Sequence, residues 1–382
     1  MPTTSVHDAR GSSQSLLDRL AAAQDATAAA GIDALLVTPG ADLAYLTGYE
    51  AVGMERLTCL VLPAVGSPVV VVPTLEQPAA LASPLGAAGV ELRHWGETDD
   101  PYTLVAGLLP PGVARVGLDN HMWAEKVLAF RRALPAAEQV LAGSVLRELR
   151  MRKTTAEVDA LRAAGQAIDR VHARMGEFLR VGRTEREVAV QICAAIVSEG
   201  HTTAEFAIVG SGPNGASPHH EASDRVIAVG DVVVVDIGGR MPSGYCSDST
   251  RTYAMGVEPT DFREPYDLLL AAQIAACQAV RPGVTCSAVD KAARDVITAG
   301  GYGEFFIHRT GHGIGREVHE HPYIVAGNDL PLEPGMAFSV EPGIYLPGQQ
   351  GARIEDIVVC TDTGGERLNL QPRELVVLGG GS

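Results

Sequence analysis

Apolar positions along this chain form short β-branched runs between Gly- and Pro-rich turns, with stretches of helical period among them, and the mixture changes near residue 150. Before that point, Leu16 to Ala30 place Leu, Ala and Asp at helical spacing and stop at Gly31, a C-cap position, ahead of the strand-like Ala34-Leu35-Leu36-Val37. Leu57 to Leu62 and Pro68 to Val72, divided by Pro63-Ala64-Val65-Gly66-Ser67, read as a hairpin. Strand and helix signals then alternate through Val116-Gly117-Leu118, the stretch from Met122 to Leu134, and Val140. Residues 1–150 are expected to form a small α/β domain with its own sheet.

After Leu149 the helices lengthen. Thr154 with Glu157, and Thr184 with Glu187, are capping-box signatures that predict helices running to about Leu179 and Ser198. From His201 onward strands dominate, interrupted by helical stretches at Phe262 to Val280 and Ser287 to Ala299. Two helix pairs backing a curved antiparallel sheet are expected in residues 151–382.

Composition narrows the function. A chain of 382 residues can bury two cores, and its net charge of −16 without a basic stripe argues against nucleic acid as a partner. The cysteines at 59, 193, 246, 277, 286 and 360 show no C-x-x-C spacing, so neither a zinc ribbon nor a disulfide framework is indicated. Met1 to Gln14 is polar and lacks the apolar core of a signal peptide, and no apolar run reaches the length of a membrane span, so a cytoplasmic location is expected. The closing Gly379-Gly380-Gly381-Ser382 carries no fold information.

The chemistry lies where apolar runs end in acids. Val232-Val233-Val234-Val235 leads into Asp236 before Ile237-Gly238-Gly239, and Met336-Ala337-Phe338-Ser339-Val340 leads into Glu341 before Pro342-Gly343. A carboxylate at the end of a buried strand needs a partner, and a metal is such a partner. In both places a second acid returns after the turn: Asp248 in Cys246-Ser247-Asp248-Ser249-Thr250-Arg251-Thr252, and Glu355 in Arg353-Ile354-Glu355-Asp356-Ile357. Each pair reads as a hairpin with one carboxylate per strand. Two such hairpins suggest an internal duplication closing on a shared site, with His312 supplied by Thr310-Gly311-His312-Gly313-Ile314-Gly315. Four carboxylates and one imidazole form a hard, anionic set suited to two divalent cations.

These residues resemble those of the pita-bread metallopeptidases, which include methionine aminopeptidase, aminopeptidase P and prolidase. The likeness runs from about Met151 to Val377, with a less specific one over the amino-terminal part. It implies an α+β architecture: a C-terminal pita-bread (creatinase/aminopeptidase) fold over residues 151–382, preceded by a smaller creatinase/prolidase-like α/β domain over residues 1–150. It also implies that Asp236, Asp248, His312, Glu341 and Glu355 ligate two divalent ions, manganese by preference, with cobalt, zinc and iron chemically allowed.

Six of the 11 histidines fall between positions 219 and 321. Asn214-Gly215-Ala216-Ser217-Pro218-His219 resembles a family segment that adds a histidine from outside the ligand hairpins. By resemblance, His219 contacts the scissile carbonyl region, His319 is a second hydrogen-bond donor there, and His308 walls the substrate pocket. Arg353 matches an arginine that supports the metal-bound solvent, and strand alternation places it on the face of Glu355. Tyr345 matches a tyrosine of the proline-directed members; His220, His321 and Glu317 have lesser claims. Glu341 is expected to serve as proton shuttle as well as ligand.

The extra domain, with His308, His319 and Arg353, points to the proline-directed branch. The expected reaction is hydrolysis of Xaa-Pro dipeptides by a homodimer in which the amino-terminal domain of a partner subunit closes the pocket. The alternatives are an aminopeptidase P acting on longer Xaa-Pro peptides, a creatinase-like hydrolase of a non-peptide C–N bond, and a non-catalytic peptide-binding module.

Overall fold

The computed structural model describes residues 6–379, with side chains from Gln14 onward, so the glycine tail beyond Gly379 lies outside the described residues. The chain divides after Arg150 into two compact units. Among the described residues no helix is long and apolar enough to cross a membrane. All six cysteines are free.

The first unit is built on a six-stranded sheet: β1 (Ala34–Val37), β2 (Cys59–Pro63), β3 (Val69–Pro73), β4 (Glu91–Trp95), β5 (Arg115–Leu118) and β6 (Glu138–Leu141), in the order β4-β3-β2-β1-β5-β6. The β1–β2 and β2–β3 pairs are antiparallel and the others parallel. Successive residues serve opposite faces. Leu35, Val37, Leu60 and Leu62 join a core with Leu16, Leu20, Leu43 and Leu46, whereas Ala34, Leu36, Cys59 and Val61 join a second with Val105 and Phe130. Helices cover both faces, which is why these strands read as unbroken apolar runs. The first helix, Val6–Ala29, is followed by Gly31 at φ +66°, the left-handed conformation expected of a residue just past a helix end. The sequence pattern did not announce β4, whose residues are mostly exposed, or the helices Ala41–Thr47 and Pro101–Leu108.

In the second unit both capping boxes form: the Thr154 and Thr184 hydroxyls accept from the Glu157 and Glu187 main-chain N–H groups. The helices they open are Thr155–Ala173 and Glu185–Ser198. The first does not run on to Leu179 as expected; it breaks at Arg174, and a separate turn of helix covers Met175–Phe178. Both cover β7 (Thr203–Ser211), β8 (Val232–Arg240) and β9 (Cys246–Met255), which pair antiparallel in sequence order. Odd positions Val233, Val235, Ile237, Tyr253 and Met255 meet Ile168, Val171, Ile192 and Ile196 of the helices. Each such buried side chain contributes roughly 1.5–3 kcal/mol relative to exposure. Asp236 and Asp248 occupy even positions on the opposite face.

The other half has β10 (Gly311–Gly313), β11 (Glu320–Ile324), β12 (Ala337–Val340), β13 (Gly343–Leu346), β14 (Gln350–Arg353), β15 (Asp356–Cys360) and β16 (Gly365–Arg367). A five-stranded sheet runs β11-β10-β12-β15-β16, while β13 and β14 form their own ribbon; a last strand, β17 (Val376–Leu378), adds parallel to β9. The expected single curved sheet is therefore split into three. Helices Arg263–Ala279 and Cys286–Ala299 cover the five-stranded sheet through Tyr266, Leu269, Val289, Ile297, Phe338, Val340 and Val358.

The second carboxylate pair is not a simple hairpin. Strands β12 and β15 do pair antiparallel, Val340 opposite Asp356, but Glu341 follows β12, Glu355 precedes β15, and the β13–β14 ribbon is inserted between them. The Pro342-Gly343 turn starts this ribbon instead of returning the chain directly. The same insertion removes the alternation argument for Arg353 and Glu355, because β14 ends at Arg353 and β15 begins at Asp356. A main-chain bond joins the halves, Glu355 N–H donating to Thr250 O at 3.1 Å, while Ile354 N–H donates to Pro342 O at 3.4 Å across the base of the ribbon.

His172, buried between its helix and β9, donates from Nε2 to Ser249 O (3.1 Å) and accepts at Nδ1 from the Tyr253 hydroxyl (3.0 Å). Burial, assisted by the nearby Arg251 charge, holds its pKa down to about 3. The folded protein therefore refuses a proton that the unfolded chain accepts below about pH 6.5, and this contribution to stability is lost as pH falls from there towards 3. Urea unfolding across pH 6.5 to 4 should show a wild-type slope steeper than that of His172→Gln by about 1.4 kcal/mol per pH unit. Equal slopes would mean that His172 is protonated in the fold.

Candidate active site

A cavity of about 820 Å³ opens in the second unit, lined by Asp236, Asp248, His312, Glu341 and Glu355 together with His219, His308, His319 and Arg353. Of the principal residues nominated from sequence, Tyr345 stays off its wall, buried behind His308 and Arg353. His220 lies away from the cavity, bonded to the buried Glu185 at 2.7 Å, and Glu317 and His321 do not line it.

Each candidate ligand is held by local structure. His312 sits in β10 between Gly311 and Gly313, where a Cβ would overlap the Ser339 and His321 carbonyls, so only glycine lets the neighbouring strands close to this distance. Its Nδ1–H donates to Gly313 O (3.1 Å), leaving Nε2 as a lone-pair donor facing Glu341 Oε1 (3.1 Å) and Asp248 Oδ2 (3.6 Å). Ser339 receives the His312 main-chain N–H and donates its own hydroxyl to Glu341 Oε1 at 3.0 Å. Thr250, two residues along β9 from Asp248, donates to Glu355 Oε2 at 2.7 Å. Arg251 fixes the Glu355 carbonyl at 2.6 Å. Arg353 donates to Asp236 Oδ2 at 2.6 Å, to the Tyr345 hydroxyl at 2.8 Å and, through Nε, to Thr250 at 3.0 Å.

The electrostatics ask for a cation. Burial, then the charges of Glu355, Asp236 and Glu341, drives the Asp248 carboxyl well above the usual range; burial, then Glu341 and Asp236, does the same to Glu355. Burial raises the Glu341 pKa as well, but with no cation beside it a protonated His312 donating to it, then the charges of His308 and Arg353, bring it down to about 2; a cation at the His312 Nε2 lone pair would take the place of that proton. Asp236 Oδ1 is buried without a hydrogen-bond partner among the described residues. Asp248, His312 and Glu355 each bring a ligand atom within 4.8 Å of the others. An orphaned carboxylate oxygen, mutually repelling acids and an imidazole with a free lone pair together fit a divalent cation.

The surrounding groups are arranged for substrate. Burial lowers the His308 pKa; its Nδ1–H donates to Arg309 O (2.7 Å), so Nε2 accepts from Tyr345, whose hydroxyl burial pushes up to about 12. The His319 ring lies 4.1 Å from His312, and loss of hydration with the adjacent imidazole brings its pKa down to about 4. His219 is exposed at the rim. Sequence reasoning missed Arg309, Phe206, Ile208 and Ile307 on the wall, and the supports Thr250 and Ser339. Thr250 could have been found, since strand period from Asp248 places it on the same face. Arg309 carried no pattern of its own.

The fold and site define a two-domain metal-dependent hydrolase. Residues 159–362 match the model of metallopeptidase family M24, and residues 19–152 match the creatinase/prolidase N-terminal domain. The chain is 55% identical over 360 residues, 94% of it and 96% of the relative, to a probable dipeptidase PepE of Mycobacterium tuberculosis. It is 39% identical over 361 residues, 91% of it and 95% of the relative, to an Xaa-Pro dipeptidase of Lactobacillus delbrueckii subsp. lactis. The crystal structure of dipeptidase PepE from Mycobacterium ulcerans superposes with a TM-score of 0.91 at 55% identity, covering 96% of this chain and 98% of that one. The chain belongs to metallopeptidase family M24, whose chemistry rests on divalent metal.

The Thr250 hydroxyl orients Glu355, and outer partners of this kind are worth about 10- to 100-fold in metal affinity. Thr250→Val should weaken manganese binding by at least about tenfold, measured by titration calorimetry on folded, chelator-treated protein. Unchanged affinity would show that Glu355 needs no such support.

Proposed function

We propose that this metallopeptidase hydrolyses dipeptides at the bond preceding proline, using two divalent cations, manganese by preference, held by Asp236, Asp248, His312, Glu341 and Glu355. The observation that carries the reading is one cavity presenting this donor set beside His219, His319 and the cationic Arg309. When bound, the cations supply Lewis acidity and bring the pKa of a water towards neutrality.

The chain's own groups do the rest. Glu341, held ionised by the positive charge around it, accepts the proton of the attacking water and passes it to the departing nitrogen. His219 and His319 donate to the oxygen that becomes negative as the carbonyl is attacked. Arg353 keeps Asp236 in place and, through Tyr345, fixes His308 against the substrate. Arg309, stacked 4.3 Å from the Tyr323 ring centroid, offers a guanidinium to the free carboxylate of a dipeptide. Phe206, Ile208, Ile307 and Pro218 give the apolar wall that a proline ring requires. An Xaa-Pro bond has no amide hydrogen, so this wall needs no acceptor for one.

The cavity's 820 Å³ exceeds what a dipeptide occupies, and this favours one second reading, an aminopeptidase P accepting longer Xaa-Pro peptides. In the dipeptidase reading the excess is closed by the amino-terminal domain of a second copy, making the enzyme a homodimer. The free thiols suit a reducing, cytoplasmic compartment.

The discriminating experiment compares Ala-Pro, Ala-Pro-Ala and Met-Ala-Ser with added manganese. Preferred turnover of Ala-Pro is expected; preference for Ala-Pro-Ala would give the aminopeptidase P reading, and for Met-Ala-Ser would overturn proline selectivity. Glu341→Ala should lower Ala-Pro turnover by at least about 10²-fold with the unfolding midpoint little changed. Turnover that survives in the folded variant would sink the shuttle.

A further inference from the structure

A second cavity, of about 370 Å³, lies away from the candidate active site, between the end of helix Arg263–Ala279 and the turn around Thr363. Three guanidiniums reach it from three separate segments: Arg281 after the helix, Arg367 on β16 and Arg373 near the carboxyl end. In a chain with 30 basic and 46 acidic residues, this convergence runs against the overall charge. No acidic side chain lines the cavity among the described residues.

The nearby acids do not neutralise it. Arg367 Nε donates to Asp356 Oδ2 at 2.8 Å, but the other oxygen of Asp356 is taken by Arg251 at 2.7 Å. Arg373 Nη1 donates to a neutral amide, Gln273 Oε1, at 2.6 Å, its one side-chain bond among the described residues. Glu374 turns to the Arg373 main-chain N–H (3.1 Å), and Glu366 to Arg162 (2.8 Å). Arg281 is exposed and forms no ion pair among the described residues. One buried carboxylate thus faces Arg251 and Arg367, while Arg281 and Arg373 keep their full charge towards the cavity.

We propose that this cavity binds the phosphate group of a small phosphorylated metabolite. Arg367 also donates from Nη2 to Asn369 O (3.0 Å), which leaves its Nη1 beside the guanidiniums of Arg281 and Arg373, and donors approaching from three directions match the several oxygens of a tetrahedral anion better than the two of a carboxylate. The volume exceeds that of a phosphate alone and lies in the range of small-molecule sites, and Ile274 and Val280 supply apolar wall for the organic part.

Sulfate, inorganic phosphate and succinate titrated calorimetrically into the metal-loaded enzyme test this. Sulfate and phosphate should each occupy a saturable site of millimolar or tighter affinity, with succinate weaker. Arg281→Glu, a change at an exposed position, should weaken both by at least about tenfold while leaving Ala-Pro hydrolysis in anion-free buffer unchanged. Arg373→Gln should weaken them likewise. Absence of saturable binding to wild type, or equal affinity in Arg281→Glu, overturns the site. Succinate binding as tight as phosphate overturns the assignment to phosphate.

Discussion

Four carboxylates gathered in one buried cavity repel one another, and the arrangement of the second unit follows from the need to hold them there. Asp248 and Glu355 show the cost most directly, since burial and their acidic neighbours push both carboxyls towards the protonated form. A fold that keeps such a cluster must supply positive charge and hydrogen-bond donors from several directions. Arg353 gives part of the charge to Asp236, Thr250 a donor to Glu355, and Ser339 a donor to Glu341. Asp236 Oδ1 still lacks a partner, and that remainder is what a cation would satisfy.

The two helix-backed halves make this possible mechanically. Even positions on β8 and β9 carry Asp236, Asp248 and Thr250, while the odd positions anchor the strands in a core under helices opened by capping boxes. The β12–β15 pair presents Glu341 and Glu355 just beyond its strand ends, and the β13–β14 ribbon between them brings Arg353 and Tyr345 across to the Asp236 side. Acid and base groups from both halves thus meet because each half holds its own strands rigidly. The loop bearing His219 is steadied by Glu185, which takes Ser211, Asn214, His220 and Ser223; these bonds outweigh its burial and hold its carboxyl at about 2.

What could be read in the sequence depended on how local its cause was. The runs Ala34–Val37 and Val232–Val235, the capping boxes, and acids beside Gly-rich turns each carry their reason within a few residues, and their positions in the structure follow. The break at Arg174 and the inserted ribbon do not, because a helix-period pattern continues past the first and a Pro-Gly turn looks the same whether it closes a hairpin or starts a new strand. Arg353 was singled out by resemblance, and the strand alternation that supported it is abolished by the ribbon; it reaches Asp236 from β14 by tertiary geometry. Arg309 and the apolar wall of Phe206, Ile208 and Ile307 come from segments far apart in sequence, joined only by the closed fold.

The central claim is that the five side chains form one site completed by divalent cations. Manganese content of chelator-treated protein, re-equilibrated with the metal and measured by mass spectrometry beside Glu355→Gln, tests it most directly. The account predicts two ions per wild-type chain and a loss of at least one in the variant, with both proteins folded. No retained manganese in wild type, or full content in Glu355→Gln, would contradict it.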